Sequence, residues 1–156
     1  MSAHLLGTFA DQPGVTTIEG LAPDVYLVTQ RDCFVDCRGK GMLTIADAST
    51  WGHEVKIITL THDPRPGQRG GVTPRPVTVH RGAFLGAFSL LYNCEIGEDA
   101  IVACGTVVRS CRVPSRVIVA GNPAAIVARW HPAAQRFVSE DVPIPWNPAT
   151  KRWAHE

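Results

Sequence analysis

The sequence has no apolar run long enough to cross a bilayer, which argues against a spanning helix. It also lacks a charge imbalance: 15 Lys and Arg stand against 14 Asp and Glu, leaving +1 over 156 residues. No basic stripe exists and no basic residues interleave with aromatics, so a nucleic-acid partner is not expected. The opening segment, MSAHLLGTFADQPG, has neither a charged leader nor a long apolar centre. It does not read as a secretory signal, and a cytoplasmic protein is expected. Five cysteines, Cys33, Cys37, Cys94, Cys104 and Cys111, are an odd number with no C-x-x-C pair. They read as small reduced side chains rather than a disulfide frame or a zinc site. A chain of this length is most simply one domain.

What the sequence does have is a six-residue rhythm. Large apolar residues stand at Ile45, Trp51 and Ile57, again at Val79, Leu85 and Leu91, and again at Ile96, Val102 and Val108. Four places after most of them comes a small or β-branched residue: Ser49, Val55, Thr61, Ala83, Ser89, Ala100 and Thr106. One place after several comes Gly or Ala: Ala46, Gly52, Gly86, Gly97 and Ala103. Six does not match a helix face, and plain strand alternation does not predict the recurring Gly or Ala slot. A fixed period of this kind reads as a solenoid, each unit a short strand and a tight corner. Three units, about eighteen residues, would close one triangular coil. The large and small residues would point inward, and the Gly or Ala slot would sit where a Cβ is costly.

Two defects interrupt the rhythm. Between His62 and Pro76, the stretch beginning at Asp63 is rich in Pro and Gly and nearly devoid of apolar residues, so it reads as a loop thrown out over 63–76. The unit from Leu91 to Glu95 is one residue short, which places Glu95 where a small inward residue belongs. An unpaired buried carboxylate is expensive, so a shortened corner that turns Glu95 outward is expected. Residues 1–25 read as an irregular cap and 26–123 as coils, with strands at Val25–Val28 and Phe34–Val35. From 124 to 156 an irregular or helical tail is expected: a turn or two of helix over Ala124–Trp130, then a Pro-rich stretch carrying two Trp, which is either flexible or laid on a partner subunit.

The segment from Leu43 to Pro123 resembles the hexapeptide-repeat acyltransferases, in particular the maltose, galactoside and colanic acid O-acetyltransferase group. The resemblance rests on an ordered set: LTIADA at Leu43–Ala48, VKIITLTHD at Val55–Asp63, the projecting loop, PVTVHRGAF at Pro76–Phe84 with LGA at Leu85–Ala87, IGEDAIVACGTVV at Ile96–Val108, and VAGNPA at Val119–Ala124. It covers about half of the chain. It implies an all-β fold, a left-handed parallel β-helix, assembled as a homotrimer with acetyl-CoA and a small-molecule acceptor meeting at the subunit interfaces.

The resemblance also implies roles. His62 would be the general base, since imidazole titrates near neutral pH. Either Glu54 or Asp63 would hold its ring, unless both are solvated surface charges. The backbone N–H of Ala87 would face the thioester oxygen. Cys104, Gly105 and Thr106 would line the pantetheine arm. Arg109, Ser110 and Arg112 would lie near the CoA phosphates, although Arg109 to Val113 looks one residue longer than usual. Arg129 would meet the 3′-phosphate, while Ala125 stands where a cation is usual. Asp36 would touch the acceptor, and Arg65, Arg69 and Arg75 in the loop would either attract an acidic acceptor or keep the loop solvated.

Two other readings compete. A non-catalytic solenoid scaffold is favoured by Ala125 and the short unit, and opposed by His62. The γ-class carbonic anhydrases share this architecture but use a close H-x-x-x-x-H pair for zinc. None of His4, His53, His62, His80, His131 and His155 shows that spacing, so no metal is expected.

Overall fold

A computed structural model describes residues 43–46, 49–68 and 70–154, and the backbone of 15–17 and 34–36. Successive short strands visit three parallel sheets in turn. The first face stacks Val15–Thr17, Leu43–Ile45, Val77–Val79, Glu95–Ile96 and Arg112–Val113. The second holds Thr50–Trp51, Phe84–Leu85, Ile101–Val102 and Val117–Ala120, and the third Phe34–Asp36, Lys56–Ile58, Leu90–Tyr92 and Val107–Arg109.

Register turns the rhythm into packed columns. On the first face Ile45 pairs with Val79, Val79 with Ile96 and Ile96 with Val113. Trp51, Leu85, Val102 and Val119 align on the second face, and Ile57, Leu91 and Val108 on the third. All these side chains are buried, most of them completely. Each fully buried aliphatic residue is worth roughly 1.5–3 kcal/mol, so the columns are the source of stability. Ser49, Ala83, Ser89, Ala100 and Thr106 fill the small inward slots. Thr61 does not, because the chain has already left the coil; Thr59 is the buried residue there.

A coil above the loop takes 17 residues rather than eighteen, as the 17-residue offset between Glu95 and Arg112 shows. The corner between the third and first faces is one residue shorter than the other two. Cys94 and Cys111 fill the inward slot there, which leaves Glu95 and Arg112 facing outward. The segment from Arg109 to Val113 is in register with Tyr92 to Ile96, so it has the same length as the coil beneath it. Cys94, Cys104 and Cys111 are free thiols. Burial raises the Cys94 pKa well above its ordinary value and pushes Cys111 up to about 11. Cys33 and Cys37 lie outside the described residues.

The Gly slot has a steric cause. A Cβ on Gly52 would come 2.5 Å from the Ala87 nitrogen, and one on Gly86 would come 2.5 Å from the Cys104 nitrogen. The corners also need a left-handed residue. Glu54, Phe88 and Gly105 supply it at one corner, with φ of 52°, 61° and 70°. Asn93 and Ser110 supply it at the short corner, with φ of 48° and 50°.

Both ends differ from expectation. Val15–Thr17 pairs in parallel with Leu43–Ile45, so the ladder begins inside the stretch read as an irregular cap. The strand expected at Val25–Val28 lies outside the described residues. The tail is neither helical nor irregular. Ala125–His131 turns back antiparallel to Val117–Ala120, Arg136–Asn147 pairs with it in turn, and Arg152–Trp153 closes the set. Alternation explains the error: Ile126 and Ala128 are buried while Ala125, Val127 and Arg129 are less so, a two-residue period that suits a strand. A 3-10 turn at Pro132–Ala134 links the two long strands. The Trp residues of the tail serve this same chain. Trp153 is 2% exposed, donates its indole N–H to the Arg112 carbonyl at 2.8 Å, and meets the Trp146 ring edge-on at 5.3 Å.

Candidate active site

The loop expected over 63–76 is a hairpin with a structured neck. Leu60–His62 pairs antiparallel with Val72–Pro74, with His62 opposite Val72. The Arg75 N–H donates to the Thr59 carbonyl at 2.6 Å where the hairpin leaves the coil, at the corner between the third and first faces. His62 stands at the end of its strand with its side chain exposed. Asp63 begins the turn, and its N–H donates to the Gly71 carbonyl at 3.1 Å.

The two candidate carboxylates have partners of their own. Asp63 Oδ1 accepts from the backbone N–H and from Nε of Arg65, both at 3.0 Å. The Arg65 guanidinium holds the Asp63 carboxyl below its usual pKa, and the arginine is raised in return. Glu54 lies one corner away with its carboxylate 3.5 Å from Lys56 Nζ, both groups about half exposed. Its left-handed backbone is set by the turn. Arg69 lies outside the described residues, and Arg75 is half-buried.

The remaining candidates fall into two groups on one subunit. Asp36, Ile58, Tyr92 and Arg109 form one column along the edge of the third face, beside the hairpin neck. Ser110 turns the corner just beyond, where its hydroxyl accepts from Asn93 Nδ2 at 3.2 Å. At the opposite edge of that face, His53, Ala87 and Cys104 stack at a second corner. The Phe88 N–H donates to the His53 carbonyl at 2.9 Å, and the Gly105 N–H to the Ala87 carbonyl at 2.8 Å. Cys104 is exposed, and nothing lies within 4 Å of where a Gly105 Cβ would stand. A three-residue strand, about 10 Å long, separates the two edges. Arg129 belongs to neither group: it lies on the strand Ala125–His131, and its Nε donates to Glu140 Oε1 at 2.8 Å.

Two features were not foreseen. His53 stands directly beneath Ala87, a position that the repeat spacing would have revealed. On the first face, His80 Nε2 hydrogen-bonds Glu95 Oε1 at 2.8 Å, and Arg112 Nε donates to Glu95 Oε2 at 2.6 Å. Burial acts to raise the Glu95 pKa, but these two partners outweigh it and hold the carboxyl below its usual value. The short unit had pointed to an outward Glu95, while its partners come from neighbouring coils that only the register aligns.

No family model matches the sequence. The chain is 37% identical over 98 residues to serine acetyltransferase 4 of Arabidopsis thaliana, an alignment covering 57% of this chain and 26% of that protein. Serine acetyltransferase 2 of the same plant is also 37% identical, over 91 residues and 27% of its length. The match thus spans about a quarter of each curated relative. Among solved structures, a hexapeptide-repeat acetyltransferase from Vibrio cholerae in complex with acetyl coenzyme A superposes with a TM-score of 0.58 at 18% identity, covering 81% of this chain and 76% of that one. A galactoside acetyltransferase in complex with coenzyme A gives 0.58 at 15% identity, over 84% and 72%. Three-faced parallel coils, an outgoing hairpin and these likenesses agree: the chain shares the fold of the hexapeptide-repeat acetyltransferases.

Proposed function

We propose that this protein transfers an acetyl group from acetyl-CoA to the hydroxyl of a sugar or related small molecule, with His62 as general base. The observation that carries the reading is the exposed His62, held at the end of a paired strand on a hairpin that leaves the prism edge. His62 would take the acceptor proton as the hydroxyl oxygen attacks the thioester carbon. The Ala87 N–H would meet the developing oxyanion, and the imidazolium would return its proton to the departing thiolate. Glu54 or Asp63 would orient the ring after loosening from Lys56 or Arg65.

The coils would wind left-handed, and three copies would pack side by side. That arrangement would bring the hairpin edge of one subunit to the Ala87, Cys104 and Gly105 corner of the next. It is supported by the outward column on the second face, where Phe84 is 40% exposed beside Ile101 and Ile118, and by the corner residue Phe88, 63% exposed. Cys104 and Gly105 would follow the pantetheine arm, Arg109 and Ser110 would face the phosphates, and Asp36 the acceptor. Arg129 would join only after releasing Glu140.

The serine acetyltransferase likeness favours a second acceptor class, the hydroxyl of an amino acid. Release of free thiol from acetyl-CoA tests both, with wild type and His62→Ala compared across sugars, nucleotide sugars and serine. Loss of about 10²–10⁴-fold in the variant is expected for a general base. Equal rates would overturn the role of His62, and absence of both turnover and acetyl-CoA binding would leave the scaffold reading in its place.

A further inference from the structure

At the short corner the inward slot is filled by sulfur. Tyr92 pairs with Arg109 and Glu95 with Arg112, so Cys94 lies directly beneath Cys111 in the next coil. Each sulfur makes the same backbone hydrogen bond two residues back, Cys94 with Tyr92 and Cys111 with Arg109. The two side chains therefore share one orientation, and their sulfurs are separated by the strand spacing of about 4.8 Å. They also feel each other's charge, since an ionised Cys111 raises the Cys94 pKa further. Both are nearly buried, at 6% and 8% exposure, yet both line a groove of about 750 Å³ between this corner and the C-terminal strands. That groove is a route from solvent to the pair.

A thiolate is a soft ligand, and a buried thiolate needs a cation beside it. Two metal–sulfur bonds of about 2.3 Å laid in line span about 4.6 Å, which matches the spacing of the pair. Tetrahedral zinc needs a larger ligand set, and the described residues hold no cluster of three or more His, Cys, Asp or Glu placed for a metal ion. Linear two-coordination is instead the habit of soft closed-shell ions such as mercuric ion and Ag+. The apolar surroundings favour the dication. Two S–H protons leave as two metal–sulfur bonds form, so the complex of a dication is neutral. A monovalent ion leaves one negative charge buried.

We propose that Cys94 and Cys111 form a two-coordinate site for a soft metal ion, mercuric ion above others, which bridges two successive coils from inside the prism. The site is separate from the acetyl-transfer reading and stands whether or not that reading does.

The test uses the full chain carrying Cys33→Ser, Cys37→Ser and Cys104→Ser, so that this pair alone remains, with its fold checked by circular dichroism. Mercuric ion, Ag+ and Zn2+ are each added in the presence of glutathione, whose thiol competes. Native mass spectrometry counts ions and protons, and X-ray absorption counts sulfur neighbours. One mercuric ion per chain, two protons lost and two sulfur neighbours at about 2.3 Å are expected. The Tm should rise, because the folded chain holds the two ligands ready. Ag+ should be held less tightly, and Zn2+ should be stripped. Cys94→Ala and Cys111→Ala, each added to this chain, should weaken retention of mercuric ion by about 100-fold or more, since the pair makes the second bond intramolecular. Alanine fills the inward slot at Ala83 and Ala100, so both variants should fold. Should the triple replacement not fold, the same two variants are compared with wild type, and each should hold one ion fewer. Equal retention by the pair and by either variant, unfolding as mercuric ion binds, or retention of Zn2+ against glutathione overturns the proposal. Tighter retention of Ag+ than of mercuric ion overturns the choice of occupant.

Discussion

Trp153 donates its indole N–H to the Arg112 carbonyl at 2.8 Å, tying the last strand of the chain to the last strand of the first face. The two residues are 41 positions apart, so this bond fixes the tail after the coil has ended. Trp153→Ala removes both the bond and one of the largest buried side chains. A loss of about 3–5 kcal/mol is expected, measured by urea denaturation. Trp153→Phe keeps most of the apolar volume and should cost less.

The Glu95 carboxyl is held below its usual pKa by His80 and Arg112. A depressed carboxyl contributes stability above its unfolded pKa, and the contribution disappears as pH falls through the lower folded value. Glu95→Gln should therefore destabilise the protein at pH 7 by about 1 kcal/mol or less, since Arg112 is well exposed. It should make no difference once both values have been passed in acid. Paired denaturation curves from pH 7 down to pH 3 check this; a difference that persists undiminished in acid would show that shape rather than charge is responsible.

Gly86→Ala places a Cβ against backbone atoms at 2.5 and 2.6 Å, which no rotamer change can relieve. A cost of about 3 kcal/mol is expected. Gly105→Ala meets no atom within 4 Å but holds φ at 70°, so it should cost only about 1 kcal/mol. Thermal melts that rank the two in the opposite order would contradict the stacking of these corners.

The trimer proposal makes Phe84 a contact residue. Phe84→Glu, at a position 40% exposed on the free chain, should leave the secondary structure unchanged and shift the mass in sedimentation towards the single subunit. A trimer that survives this substitution would point to another face.

Much of the prism was legible because the physics that makes it is periodic. Columns such as Leu85 over Trp51 require the same residue class at a fixed spacing, and that spacing survives in the sequence. The short unit and the outward Glu95 were legible as a break in that spacing, but the repeat of the short corner one coil later was not, because Arg109 to Val113 reads as one residue too long until the ladder sets it against Tyr92 to Ile96. The hairpin was visible as a gap in the rhythm, and His62 as the residue just before it. The partners of Glu54, Asp63 and Arg129 were not visible: each pairing, to Lys56, Arg65 or Glu140, depends on side-chain reach across a turn or between strands. The tail was misread because Pro residues masked an alternation that only burial makes plain.

The reversal of strand direction after Val117–Ala120 sets a limit on how this protein can grow. A parallel coil left open at its end is a template for another coil or for another molecule, and fibres form by that route. Here the antiparallel strands occupy the end of one face, and the Trp153 ring sits against the end of another. New turns can therefore be accommodated by insertion between existing ones, but not by extension beyond the cap. Each inserted turn would lengthen the prism by about 4.8 Å, the spacing between paired strands. The distance from hairpin to cap is thus available to evolution only in whole steps of that size.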